Sequence, residues 1–178
     1  MIKKLTIPVD HGNRNMKTTH FLFTTGLSAT DRKPAGREDF LQTDGKYYVL
    51  SDKRIPYQRD KTQDERFSIL TRFAIAKELE RTGQVTEEDV VQVSLPIGVP
   101  PKHYAELAER YREYFLGDGK VQELVYNGKT YHTCIRDVAV YPQAYAAMMT
   151  EGEKIRQIPK AVGIDIGGFT SDFLLMRS

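Results

Sequence analysis

A second cysteine is missing from this chain. Cys134 is the only one in 178 residues, so no internal disulfide can form, and a disulfide-stapled secreted scaffold is excluded. An excess of one charge is missing too. Twenty-six basic residues face 24 acidic ones, for a net charge of +2. That balance gives neither nucleic acid nor an anionic membrane a basic field to bind. No apolar run approaches the ~20 residues of a membrane span. The N-terminus, MIKKLTIPVDHG, lacks the long apolar core and small-residue cleavage site of a signal peptide. Internal repeats and low-complexity segments are absent. The histidines, His11, His20, His103 and His132, show no metal-ligand spacing, so surface or packing roles suit them. The expectation is a cytoplasmic protein with no direct nucleic-acid partner and no membrane partner.

What is present is the composition of a soluble globular domain, 40% hydrophobic and 28% charged, long enough for a real core. Leu5, Ile7 and Val9 alternate with Lys4, Thr6 and Pro8 and predict a strand, although Pro8 cannot donate to a ladder. A turn, DHGNRN, and a returning strand, MKTTHFLFTTGL, follow. Residues 28–45, with Pro34, Gly36 and Gly45, read as a loop, and KYYVLSD as a short strand. Thr62 and Glu65 have capping-box spacing. After them Phe67, Leu70, Phe73, Ala74 and Ile75 form the apolar face of a helix closed by Gly83. VVQVSLPIGVP predicts a buried strand. Pro101 opens a second helix with Tyr104, Leu107, Ala108, Tyr111 and Phe115 on one side, ended by Gly117 and Gly119. Asn127-Gly128 predicts a hairpin turn, with Cys134 as a small buried residue on its second strand. Pro142 opens a third helix, and a final hairpin closes the chain. The basic run DKRIPYQRDKTQDER, with acids interleaved, reads as a solvated loop and helix start. The class is α/β or α+β with a mixed sheet.

Gly128-Lys129-Thr130 ends like a Walker loop, but position 123, which that loop needs as glycine, is Glu123. Two other stretches carry stronger chemistry. Asp10-His11-Gly12-Asn13-Arg14-Asn15-Met16-Lys17 sits at a strand–turn–strand. A tight glycine turn presents backbone N–H groups to phosphate oxygens. Lys17 adds a positive charge, and Asp10 can hold a Mg²⁺ that keeps most of its waters. Asp165-Ile166-Gly167-Gly168-Phe169-Thr170-Ser171-Asp172 repeats the design. A Gly-Gly hairpin explains the glycines but neither Asp165 at the strand end nor the Thr-Ser-Asp run. Two such hairpins facing each other could clamp a polyphosphate, with both aspartates on the metal.

With these residues in place the chain resembles the actin-like ATPases, in particular the bacterial plasmid-segregation branch of ParM/StbA type. Asp10-x-Gly12 with Lys17 resembles the superfamily's first phosphate loop, and Asp165 to Asp172 resembles the second. YPQAYAA resembles the segment that carries the water-positioning residue, here Gln143. DGKYYVLSD and DERFSILTRFAIAKELE resemble the passage from the small subdomain into the first long helix. The resemblance implies an actin/ribonuclease H-like α/β fold. Residues 1–160 would be domain I, a mixed five-stranded sheet flanked by helices, with a small-subdomain insertion at about 28–62. Residues 161–178 would be the first hairpin of domain II, the rest being truncated together with the adenosine-binding glycines. Val162, Ile164, Phe173 and Leu175 of that hairpin would pack on domain II in the complete fold; in this chain the hairpin would be disordered, fold back on domain I or, the favoured expectation, pair with a second copy.

For the full-length protein the resemblance implies hydrolysis of ATP to ADP with Mg²⁺. It also implies self-association into filaments and a DNA-binding adaptor protein that links them to plasmid DNA. Asp10 and Asp165 would hold the hydrated metal. Gly12, Asn13, Arg14, Asn15, Lys17, Gly167, Gly168, Phe169 and Thr170 would bind the nucleotide, and Gln143 would orient the attacking water. The 178-residue chain by itself would be inactive and would bind nucleotide weakly. A sugar or acetate kinase of the same superfamily and a non-hydrolysing actin-like scaffold are the alternatives.

Overall fold

The computed structural model describes residues 1–35 and 39–177. Gly36, in the expected loop, and Ser178, at the end of the final hairpin, lie outside the described residues. Among the described residues, twelve strands and four helices follow in chain order. β1 is Ile2–Thr6, β2 Asp10–His11, β3 Asn15–Lys17, β4 Leu22–Thr24, β5 Leu27–Thr30, β6 Phe40–Thr43 and β7 Lys46–Leu50. Helix α1 is Arg66–Thr82, β8 is Val90–Val99, and α2 is Tyr104–Leu116, entered through a 3-10 turn at Pro101–His103. β9 is Gln122–Tyr126 and β10 Lys129–Pro142. Two short helices, α3 Tyr145–Thr150 and α4 Gly152–Ile155, lead into β11, Lys160–Ile166, and β12, Ser171–Arg177.

The main sheet has the order β1-β8-β10-β9-β6-β7-β5. β1, β8 and β10 run parallel, and the remaining pairs are antiparallel. The sheet is mixed, as expected, but has seven strands rather than five. The extra strands come from residues 27–50, of which 28–45 read as loop in the sequence. Asp44-Gly45 carries positive φ at both residues, the geometry of the tight hairpin turn that joins β6 to β7. β6 then pairs with β9 at Leu41↔Tyr126 and Gln42↔Val125. Strands of the small-subdomain insertion expected at about 28–62 thus extend the main sheet.

β8 lies between β1 and β10 in the parallel part of the sheet. Its Val91, Val93, Leu95, Ile97 and Val99 are all buried. They form one core with Phe67, Leu70, Phe73 and Leu79 of α1 and Leu107, Tyr111 and Phe115 of α2. Among the described residues, no helix is long and apolar enough to cross a membrane.

Several local readings are corrected by the structure. The Thr62–Glu65 capping box does not form. Thr62 bonds Asp60 instead, and the carboxylate of Asp64, the residue before the N-cap Glu65, accepts the Arg66 N–H at 2.9 Å. The returning strand is broken into β3 and β4, because the buried Glu78 carboxylate accepts the Thr18 hydroxyl at 2.5 Å and the His20 N–H at 3.0 Å, which fixes a turn between them. Pro142 ends β10 rather than opening a helix. Pro8 is accommodated because β1 is an edge strand: Ile7 and Val9 donate to the Ser94 and Pro96 carbonyls, and the intervening nitrogen faces away from β8. β11 and β12 pair only with each other. Val162, Ile164, Phe173 and Leu175 are 49–64% exposed, while Gly163 on the opposite face lies against Met148 of α3.

Among the described residues, the buried Tyr131 hydroxyl has no hydrogen-bond partner. Tyr131→Phe removes only that atom, so it is expected to raise stability by about 0.5–1 kcal/mol, or about 1–4 °C in Tm. A loss of stability in thermal unfolding would show that the hydroxyl has a partner.

Candidate functional site

The first loop, between β2 and β3, is pinned from behind. The Thr25 hydroxyl donates to the Gly12 carbonyl at 2.6 Å, and the Thr25 N–H donates to the Arg14 carbonyl at 3.1 Å. In a trans peptide the N–H points opposite to the C=O. The amides of Asn13 and Asn15 are therefore turned away from Thr25. Gly12 has no room for a side chain, since a Cβ there would lie 2.4 Å from the Asn15 carbonyl oxygen.

The second loop, between β11 and β12, closes on itself through Gly167 N–H to Thr170 C=O at 2.8 Å. That bond commits the Gly167 amide within the loop. Gly168 meets the first loop: a Cβ there would lie 2.7 Å from Arg14 Cβ. Phe169 packs near Tyr57, with ring centroids 6.0 Å apart, and under the Arg54 guanidinium at 5.4 Å.

The two loops face each other across a cavity of about 560 Å³. Asp10, Gly12, Asn13, Arg14, Asn15, Lys17, Gln143, Asp165, Gly167, Gly168, Phe169 and Thr170 all line it. Every residue selected from the sequence is thus brought to one place. Gln143 is held by its N–H to the Val99 carbonyl at 2.8 Å. Gly98 makes space for it, since a Cβ there would sit 3.1 Å from Gln143 Cγ. Ala144 takes a φ of 66°, a left-handed conformation that is unfavourable for alanine and swings the chain from β10 into α3 directly after Gln143. Lys17 pairs with Asp10 at 3.1 Å, and both are well exposed.

Sequence reasoning missed one wall of the cavity. Tyr57, Gln58, Arg59 and Lys61, assigned to a solvated loop, line it. The Gln58 N–H donates to Asn13 Oδ1 at 3.3 Å, which ties this wall to the first loop. Arg59 bonds Glu106 at 2.8 Å and His103 Nδ1 at 3.0 Å. Lys61 is buried, and its ammonium donates to the His11 carbonyl. Burial pulls its pKa down from 10.5 to about 8, against the pull of Asp10 and Asp172. His11 is itself fully buried. Thr71 donates its hydroxyl to the Phe67 carbonyl at 2.7 Å, so it accepts from His11 Nε2–H, also at 2.7 Å. Burial, and then the Lys61 charge, hold the imidazole pKa well below its ordinary value. No sequence signal short of the tertiary contact with Tyr111 marks Lys61 as an inside residue.

The donor set fits a polyphosphate. Arg14, Lys17, Arg59, Lys61 and Lys102 surround the cavity, and one of them, Lys61, is a buried cation. Among the described residues, no group of three or more His, Cys, Asp or Glu is placed to hold a metal directly. Asp10 and Asp165 instead offer two carboxylates at the rim of the phosphate space. That arrangement suits Mg²⁺, which retains several waters and is held largely by phosphate oxygens.

A mixed sheet covered by two long helices, with two glycine hairpins closing on a cationic cavity, defines the actin-like fold class. The chain belongs to the actin-like proteins: residues 8–145 match the family described as "Actin like proteins N terminal domain". It is similar in fold to apo pSK41 ParM, with a TM-score of 0.76 and 14% identity over 98% of this chain and 62% of that one. It is similar to AlfA in a filament bound to AMPPNP, with a TM-score of 0.70 and 14% identity over 98% and 65%. The AlfA filament from B. subtilis plasmid pLS32 gives a TM-score of 0.70 and 15% identity over 97% and 67%. The chain spans about two thirds or less of the length of these structures. No curated protein sequence matches it.

Proposed function

We propose that this chain is the part of a filament-forming ATPase of plasmid segregation that grips the phosphates of Mg-ATP between its two hairpin loops. The observation that carries this reading is the convergence of both loops, Asp10, Asp165 and Gln143 on one cation-lined cavity. The AMPPNP-bound filament among the similar structures supports ATP as the nucleotide and self-association as the mode of action. The filaments assemble in the cytoplasm and reach DNA through a separate adaptor, in keeping with the near-neutral charge of the chain.

Phosphoryl transfer needs mainly positioning and electrostatics. The amides of Asn13 and Asn15 and the side chain of Arg14 receive phosphate oxygens. Asp10 and Asp165 would hold Mg²⁺, which would neutralise phosphate charge. The Gln143 side-chain amide, set by Gly98 and by the Ala144 turn, orients the water that attacks.

Gln143→Ala tests this assignment. In protein that assembles, ATP hydrolysis above the assembly threshold is expected to slow by roughly 10²-fold, with ATP affinity changed less than about twofold. Loss of binding with unchanged turnover per bound nucleotide would show that Gln143 grips the nucleotide instead.

A further inference from the structure

Among the described residues, Lys61 is the one cation of the cavity wall that is removed from solvent, and its surroundings are incomplete. The side chain is 5% exposed. One of its three ammonium donors is used by the His11 carbonyl, and Nζ lies 5.4 Å from the Phe67 ring centroid. Among the described residues, no carboxylate lies within ion-pair distance of it. A buried ammonium without an anion is unfavourable unless a ligand supplies one. The fold nevertheless holds it firmly: the Lys61 N–H donates to the Tyr111 hydroxyl at 3.1 Å, and that hydroxyl donates to the Arg59 carbonyl at 3.4 Å. Lys17, the lysine suggested by the first-loop pattern, is by contrast 57% exposed at its side chain and already paired with Asp10.

We propose that Lys61 is the ammonium that binds the polyphosphate oxygens of the nucleotide directly, while Lys17 serves to position Asp10. The inference rests on the nucleotide reading of the cavity. Geometry supports it, because Lys61 enters between the two loops from the segment that joins β7 to α1. It lines the same cavity as Gly12, Gly168 and Gln143 and feels the charges of Asp10 and Asp172, one beside each loop. The two donors that His11 leaves free can take two phosphate oxygens, and those charge-assisted bonds are the strong kind. A bound polyphosphate would then also hold the β7–α1 segment against the first loop.

The test is binding of Mg-tripolyphosphate to this chain, followed by calorimetry or thermal shift at millimolar ligand. Lys61→Met keeps the length and apolar stem and removes the charge. It is expected to lower tripolyphosphate affinity at least tenfold, with no fall in the Tm of the unliganded protein. Lys17→Met removes the same charge from the same cavity and is expected to lower affinity less than about threefold. An equal loss in both variants, or affinity within twofold of wild type for Lys61→Met, would overturn the assignment. Should Lys61→Met not fold, the Lys61 ¹⁵Nζ resonance of the wild-type chain decides: it is expected to shift on titration, and a resonance that stays in place while the ligand binds overturns the proposal. A wild-type chain that binds neither tripolyphosphate nor ATP would instead sink the nucleotide reading itself.

Discussion

Asp165→Ala is expected to change how polyphosphate binding responds to Mg²⁺. Asp165 and Asp10 line the same cavity as the cations of the first loop. Without metal, their carboxylates repel an anionic ligand. With metal, they hold the cation that the ligand also binds. Removing one carboxylate should therefore tighten metal-free tripolyphosphate binding, by about tenfold at the effective dielectric of a partly open site. The gain normally supplied by Mg²⁺ should fall to within about twofold. In protein that assembles, ATP turnover should drop by roughly 10³-fold, the scale seen when a preorganised charge is lost from a transition state. Paired titrations with and without Mg²⁺ read the effect. An undiminished Mg²⁺ response in the variant would place the metal elsewhere.

Gly26→Ala is expected to have the largest effect on stability. Gly26 does not have a left-handed backbone, so conformational freedom is not what it provides. It provides space. A Cβ would lie 2.0 Å from the Ser51 carbonyl oxygen and 2.6 Å from that of Lys53. Both obstacles are backbone and neither can rotate away. The crossing is tied on every side: Gly26 N–H to Thr24 at 2.8 Å, Ser51 N–H to Gly26 at 3.1 Å, and Ile55 N–H to Thr25 at 2.8 Å. Alanine must separate these strands, at a cost of about 3–4 kcal/mol and roughly 6–16 °C in Tm. The damage should reach the cavity, because Thr25 pins the first loop and the displaced segment leads to Lys61. Gly45→Ala is the control. It meets a positive φ but open space and should cost only about 1 kcal/mol. Equal losses in the two variants would refute the argument from space.

The parts that could be read in the sequence are those in which neighbouring residues dictate the geometry. Asn127-Gly128 takes positive φ at both positions, as a tight hairpin requires, and Gly83 ends α1 in the left-handed conformation. The alternation of β8 and the helical spacing of Leu107, Tyr111 and Phe115 place those side chains in the core. Asp10-x-Gly12 and Asp165-x-Gly167-Gly168 mark both loops, because a carboxylate beside a glycine turn is a local signature. Asp44-Gly45 carried the same hairpin signal as Asn127-Gly128 and was hidden only by its polar surroundings.

Tertiary structure decided everything that depends on residues distant in the chain. β6 joins the main sheet through Leu41 and Tyr126, and no local pattern encodes that pairing. Gly26 is indispensable because Ser51 and Lys53 pass over it. Lys61 looks like one more charge in a polar run, and it becomes an inside residue only when the Tyr111 hydroxyl of α2 and the His11 carbonyl close around it. The sequence by itself determined the two loops and the elements that carry them, since turns and periodicities are set by nearest neighbours. Which cation is buried between the loops was decided by the fold, because burial is a property of what packs around a residue and not of the residue itself.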